Sequence, residues 1–280
     1  MEEILSRQYL KIAKFLKENY FPKRWFYGPA YAMALWSQLE QYRDMVFLMH
    51  KYMFQHLVKN DQTHWEFINY GILRTLENMD IDIEYTEQFH DNKRVINWQL
   101  LKCLCQVLNN NTEGVDQIGI LVNCNQNKEG LIYDFDNDSK SKSHQYHNFS
   151  TALLCELAEQ GFFRFEKNLR KAVDYIISIQ KDDGDINYEG RGKKQIKGYA
   201  VGIYALLFCS EYEAAERALN YLLKYERKNQ PFPLVLSDNE PSWRKLNGIP
   251  DGWESYNNYF DYIPLVGYYL KRSYDVISHT

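Results

Sequence analysis

Three side chains able to do chemistry, Tyr146, His147 and Asn148, stand directly ahead of the apolar run FSTALLCELA. A helix start needs one capping side chain, usually Ser, Thr, Asn or Asp. A phenol, an imidazole and an amide together offer donors, acceptors and a group that changes charge near neutral pH. His147 can contact a ligand or move a proton, or it can be a satisfied, partly buried histidine. Asn148 can contact the same ligand or simply cap the helix. Further on, EGRGKKQIKGY sets Arg191 on a tight turn between Gly190 and Gly192, with Gln195 and Tyr199 at the start of the next helix. The planar fork of Arg191 suits a carboxylate or phosphate; the plainer reading is a solvated basic loop. GRGKKQ lacks the spaced glycines and the Lys-Ser/Thr pair of a phosphate-binding loop.

Carboxylates form a second set. IYDFDNDSK carries Asp134 and Asp136, and KDDGDINYE carries Asp183 beside Gly184. Two such groups across a cleft can share acid and base work in glycoside hydrolysis; solvated acidic loops explain them equally well. No metal site is expected. HWEF, from His64, lacks zinc spacing, and Cys103 and Cys105 diverge on a helix. No cofactor motif is present.

These residues need elements to hold them. Helical periodicity dominates. Six largely apolar segments begin with polar or aromatic residues, near Trp25, His64, Val95, His147, Gln195 and Tyr256. Helices apolar around most of their circumference are buried ones. More amphipathic segments alternate with them, at Ile4–Glu18, Tyr42–Val58, Phe165–Ile179 and Tyr212–Glu226, and more weakly at Thr112–Cys124; Thr75–Gln88 is poorly patterned. No hairpin of one outer and one inner helix can bury its own inner helix, so neighbours must do it. The expected fold is all-α, an (α/α)6 toroid of helical hairpins forming a single domain over residues 1–280; an open α-solenoid is the alternative. The long links, Asn125–Tyr146, Lys181–Lys194 and Asn229–Ser255, all lead into inner helices. They gather on the face where inner helices begin, as functional loops often do. On that face the candidate ligand-binding residues are Trp25, Tyr27, His64, Glu66, Trp98, Gln195, Trp253, Glu254, Tyr256 and Asn257. Tyr146, His147, Asn148, Arg191 and Tyr199 are the candidates for chemistry.

The composition limits the partners. The 280 residues are 45% hydrophobic and 25% charged, with a formal net charge of -4. That charge does not suit a nucleic-acid backbone binder, and no apolar run reaches membrane-spanning length. An oligosaccharide or other polar small molecule fits, and the 23 tyrosines and six tryptophans suit sugar rings as well as ordinary packing. The odd cysteine count favours buried thiols, and with no signal peptide visible the expected location is the cytoplasm.

The repeated hairpins, the YHNF start and the RG–Q–Y arrangement resemble the helical-toroid domain of polysaccharide lyases such as alginate, chondroitin and heparin lyases. SIQKDDGDINYE is similar to the Gln-Asp-Gly turns of other α/α toroids, including glycoside hydrolases and terpene cyclases. The lyase resemblance implies β-elimination on a uronate glycan. Asn148 and Arg191 would hold the carboxylate, His147 would take the C5 proton, and Tyr146 or Tyr199 would protonate the leaving oxygen. Many such lyases also carry a β-sandwich, for which this chain has no room. The alternatives are a glycoside hydrolase drawing on Asp134, Asp136, Asp183, Glu66 or Glu254, and a noncatalytic carbohydrate-binding scaffold.

Overall fold

A computed structural model describes residues 1–19, 26–56, 64–81, 88–89, 95–111, 113–135, 142–228, 230–236 and 258–279. These residues form eleven α-helices: α1 (Glu2–Asn19), α2 (Gly28–Trp36), α3 (Arg43–His56), α4 (Trp65–Asn78), α5 (Ile96–Leu108), α6 (Glu113–Asn125), α7 (His144–Glu159), α8 (Glu166–Ile179), α9 (Ile196–Phe208), α10 (Tyr212–Leu223) and α11 (Tyr259–Ser278). No strand longer than an isolated bridge occurs among them.

Six of the helices make a closed ring. α2 packs on α4, α4 on α5, α5 on α7, α7 on α9, α9 on α11, and α11 returns to α2. These are the six apolar segments of the sequence, and each begins within three residues of its expected start. Every residue of α2 is buried, as are twelve in α9 from Ile196 to Leu207. The outer layer follows a rule: α3, α6, α8 and α10 each pack on the inner helix that precedes them, and α1 packs on α11. Outer helices bury one stripe, as in α8 with Leu169, Ala172, Val173 and Ile176 inward. Each Leu or Ile so buried contributes about 1.5–3 kcal/mol. No helix links α4 to α5 among the described residues, in keeping with the poor pattern of Thr75–Gln88.

Inner helices end in a recurring turn. Asn110, Gly161 and Ser210 take positive φ one residue past the caps of α5, α7 and α9. The next N–H reaches back to the final turn of the helix: Asn111 to Gln106 O, Phe162 to Leu157 O and Glu211 to Leu206 O. This left-handed stop satisfies orphan carbonyls and reverses the chain within a few residues.

The opposite face is built from longer loops, also to a pattern. The Gln126 amide donates to Gly130 O and Asn168 O; Gln180, in the equivalent place, donates to Gly184 O and Ala214 O. Gly130 and Gly184 have φ of 104° and 97°, and a Cβ on either would lie 2.0 or 2.1 Å from a carbonyl oxygen of the following outer helix. Each loop is then stapled to the preceding inner helix: Ile96 N–H donates to Asp134 O, His144 N–H to Glu189 O and Ile196 N–H to Leu234 O, at 3.0, 3.1 and 3.0 Å. These bonds hold Asp134, Glu189 and Leu234 at the mouth of the ring.

Candidate functional site

At that mouth lies a cavity of about 260 Å3, lined by Phe26, Tyr27, His64, Phe67, Val95, Trp98, Tyr146, Arg191, Lys197, Asp261 and Tyr262. All six inner helices contribute, through their first turns or the residues just ahead of them.

Asp261, in the first turn of α11, caps a different helix. Its Oδ1 accepts the backbone N–H groups of Phe26, Tyr27 and Gly28 at 2.8, 2.9 and 2.8 Å, closing the start of α2. Oδ2 is buried and accepts no hydrogen bond of normal length among the described residues, although the Asn258 side chain lies close enough to favour the charged form. Burial outweighs the three donated bonds and lifts the carboxyl from 3.8 to about 6.

Lys197 lies in the first turn of α9 and is 2% exposed. Its ammonium sits 3.9 Å from the ring centre of Phe149, 5.1 Å from Phe67 and 5.2 Å from Tyr146. No carboxylate or carbonyl accepts a hydrogen bond from it among the described residues. Burial lowers the amine from 10.5 to about 7, the charge of Arg191 pushes it further down, and Asp134 opposes both.

Arg191 stands on the turn between Gly190 and Gly192, which have φ of 81° and 76°. A Cβ on Gly190 would lie 2.2 Å from Lys142 O, so only glycine lets the turn lie against the start of α7. The guanidinium is bidentate on Asp134, with Nε to Oδ2 at 2.9 Å and Nη2 to Oδ1 at 2.8 Å, and lies 4.1 Å from the ring centre of Tyr146. Asp134 is 1% exposed, so its role is to anchor the arginine.

The remaining wall is aromatic. His64 lies 4.7 Å from Trp98, 4.8 Å from Phe26 and 5.5 Å from Tyr27, ring centre to ring centre. Tyr27 stacks on Phe67 at 4.6 Å.

The ring brings together five residues singled out in the sequence, Tyr27, His64, Trp98, Tyr146 and Arg191, and leaves others elsewhere. His147 is fully buried: its Nδ1 accepts the Ile132 N–H at 3.0 Å and its Nε2 lies 3.0 Å from Ala172 O. Both nitrogens are occupied, burial drives the imidazole down to about 3, and no lone pair faces the cavity. The expected proton abstraction by His147 is therefore replaced by a role in tying α7 to α8 and the preceding loop. The Asn148 amide donates to Ile186 O and Gly198 O, holding α7 to α9 and its loop. Successive helix positions turn by about 100°, so of three adjacent side chains only Tyr146 faces the mouth. The Tyr199 hydroxyl donates to Asp185 at 2.6 Å, and its ring stacks on Tyr221 of α10. Glu66 and Gln195 are buried away from the cavity lining, and Asp183 sits at an exposed turn where it accepts the Asp185 N–H. Trp25, Asp136, Trp253, Glu254, Tyr256 and Asn257 lie outside the described residues.

Sequence reasoning missed Lys197 and Asp261. A signal existed: each is the lone charged residue in an otherwise apolar or aromatic stretch, IKGYAVGIYALLF and YFDYIPLVGYYL. A charge placed where a helix is wholly buried needs a reason. Among the described residues, no cluster of three or more His, Cys, Asp or Glu side chains is arranged to hold a metal ion.

No family model matches the sequence, and no curated protein matches it. Solved structures show that the ring is an α/α toroid shared with lyases and glycoside hydrolases. A glycosyl hydrolase of family 88 from Bacteroides vulgatus superposes with a TM-score of 0.65 at 11% identity, over 97% of this chain and 99% of its own. A polysaccharide lyase matches with a TM-score of 0.61 at 12% identity, over 99% and 97%. A mutant unsaturated glucuronyl hydrolase from Streptococcus agalactiae matches with a TM-score of 0.56 at 12% identity, over 98% and 90%. Identities this low establish common architecture. Among the described residues no helix is long and apolar enough to cross a membrane.

Proposed function

We propose that the chain is a carbohydrate-active enzyme that binds the uronate ring of an acidic saccharide in the mouth cavity. The observation that carries this reading is the meeting of Arg191, Lys197 and Asp261 within one aromatic wall. Arg191 faces the uronate carboxylate, with Lys197 as a second positive charge when protonated. Trp98, Tyr27 and Tyr146 pack against the ring and its hydroxyls. Asp261 is the acid, because a carboxyl that keeps its proton to about pH 6 can deliver it near neutrality.

The reaction suited to this set is hydrolysis of an unsaturated uronyl sugar. Its C4–C5 double bond is an enol ether. One acid suffices: a proton goes to C4, positive charge develops at C5 and the ring oxygen, and water adds at C5. The hemiketal then opens with loss of the glycosidic bond. No second carboxylate is required, and among the described residues Asp261 is the one carboxyl group in the cavity lining. The likeness to an unsaturated glucuronyl hydrolase supports the same reading at the level of fold.

β-Elimination is the second reading, favoured by Lys197. An amine brought to about 7 can take a C5 proton while Arg191 stabilises the charge building on the carboxylate, and Tyr146 can protonate the leaving oxygen. One assay separates the two. The ultraviolet absorbance of the C4–C5 double bond should disappear from unsaturated uronyl oligosaccharides under the hydrolase reading. It should appear from saturated uronate polymers under the lyase reading. Binding without any absorbance change would leave a noncatalytic scaffold.

A further inference from the structure

In the hydrolase reading Lys197 serves only as a second positive charge beside Arg191, and no proton transfer falls to it. Its surroundings are unusual for a lysine held only to bind an anion. A lysine serving as a charge ordinarily keeps its ammonium hydrated or paired, because burying it alone is costly. Here the amine lies 3.9 Å from the ring centre of Phe149 and about 5 Å from those of Phe67 and Tyr146, and no described carboxylate or carbonyl accepts from it. It nevertheless lines the cavity. Two cations flank the single Tyr146 ring, Arg191 at 4.1 Å and Lys197 at 5.2 Å from its centre. Only one of them can shed its charge. Arg191 is bidentate on Asp134 and stays a guanidinium, so the relief falls on Lys197. A desolvated amine beside a second cation is the arrangement that makes lysine a nucleophile.

We propose that Lys197 condenses with the carbonyl carbon of a 2-oxo acid whose carboxylate is drawn to Arg191, forming an imine in the cavity. The nitrogen lone pair attacks the carbonyl carbon, and the carbonyl oxygen takes up a proton to give a carbinolamine. A second proton on that oxygen expels it as water while nitrogen loses its remaining protons and the C=N bond forms. The sum is one amine and one ketone to one imine and one water, with no oxidant or reductant. Asp261, in the same wall, is the acid available for the dehydration. This activity goes beyond the sugar reading and does not depend on it, since a short 2-oxo acid has no glycosidic bond.

The test uses the full chain with pyruvate as probe and cyanoborohydride to reduce any imine to a stable secondary amine. Intact mass and peptide mapping locate the label. The expected result is a single adduct on Lys197, at least about tenfold above any exposed lysine, because the neutral fraction of an ordinary lysine at pH 7 is far below one per cent. Lys197→Arg should abolish the adduct, and Arg191→Gln should slow labelling severalfold at low pyruvate. No adduct, or label scattered evenly over surface lysines, would overturn the proposal. Mapping on the unaltered chain separates these outcomes even if Lys197→Arg fails to fold. Because no saccharide is present, failure here leaves the absorbance assay standing, and loss of the sugar reading leaves this one standing.

Discussion

The two ends of the same ring handle polar groups in opposite ways. Two to three turns further along the inner helices, roughly 10–15 Å below the mouth, Glu156 of α7 receives Arg74 at 2.5 Å and the Tyr269 hydroxyl at 2.7 Å, together with the hydroxyl of Tyr70. Tyr70 in turn lies 2.9 Å from the Tyr268 hydroxyl, and Arg74 also holds Glu77 at 2.6 Å. Six side chains from three inner helices thus satisfy one another; the Tyr31 hydroxyl, buried nearby, has no hydrogen-bond partner among the described residues. At the mouth, Lys197 has aromatic faces and Asp261 one uncommitted oxygen. The floor gains specificity by completing its network. The mouth leaves valences open, and an open valence inside a protein is where a ligand is recognised.

The comparison can be broken most severely at the floor. Glu156→Ala leaves the Arg74 charge half-compensated, with Glu77 still attached, and should lower the unfolding free energy by about 3–5 kcal/mol in urea titration. A loss below about 1 kcal/mol would mean the floor is not held by charge completion. At the mouth the effect should fall on turnover. Asp261→Asn keeps an oxygen for the three backbone N–H groups but cannot donate an acid proton. Cleavage of the unsaturated substrate should drop about 10²- to 10⁴-fold with the fold intact. In the unaltered chain the proposed activity predicts that kcat/KM falls as pH rises through about 6, where Asp261 loses its proton. Its contribution to stability has the same sense: present below 3.8, lost as pH climbs towards 6, and flat in Asp261→Asn.

His147 tests the boundary between the regions. His147→Ala should cost about 2–3 kcal/mol, because the Ile132 N–H and Ala172 carbonyl lose their buried partner, and kcat of the folded fraction should not change. A large fall in kcat with normal stability would return the imidazole to the chemistry. Its pKa near 3 also predicts acid sensitivity: its contribution is full above 6.5 and is lost as pH falls from 6.5 towards 3. Lys197→Met should give the smallest shift, and of the opposite sign. Removing a desolvated ammonium should raise stability by about 1–2 kcal/mol at pH 6.5. The advantage should shrink by pH 9, because the folded wild type already holds the neutral amine above about 7, whereas its unfolded chain gives up the proton only near 10.5.

The ring was legible because its signal is summed over long segments. Six apolar runs with five amphipathic partners leave few other ways to bury their faces, and each inner start could be placed from the polar residues ahead of it. The site was legible only in part. Tyr27, His64, Trp98 and Tyr146 announce themselves by lying at helix starts, and Arg191 by its glycine-flanked turn. Which of Tyr146, His147 and Asn148 faces the cavity depends on helix rotation, and the string YHN does not encode that. Lys197 and Asp261 were hidden for another reason: each stands in the first turn of a helix whose apolar remainder dominates the reading, so their charge looked incidental.

The three hydrogen bonds by which Asp261 holds Phe26, Tyr27 and Gly28 join residues 235, 234 and 233 positions apart. They lie on the seam where the last inner helix meets the first. Hairpins around the ring form through contacts much nearer in sequence, whereas this seam must close a loop spanning most of the chain, and such closures are slow. Until it closes, Asp261 has no helix to cap and the cavity lacks a wall. During refolding, helical signal should therefore return ahead of ligand binding, and the chain should gain its cavity in the last kinetic phase, in step with completion of the ring.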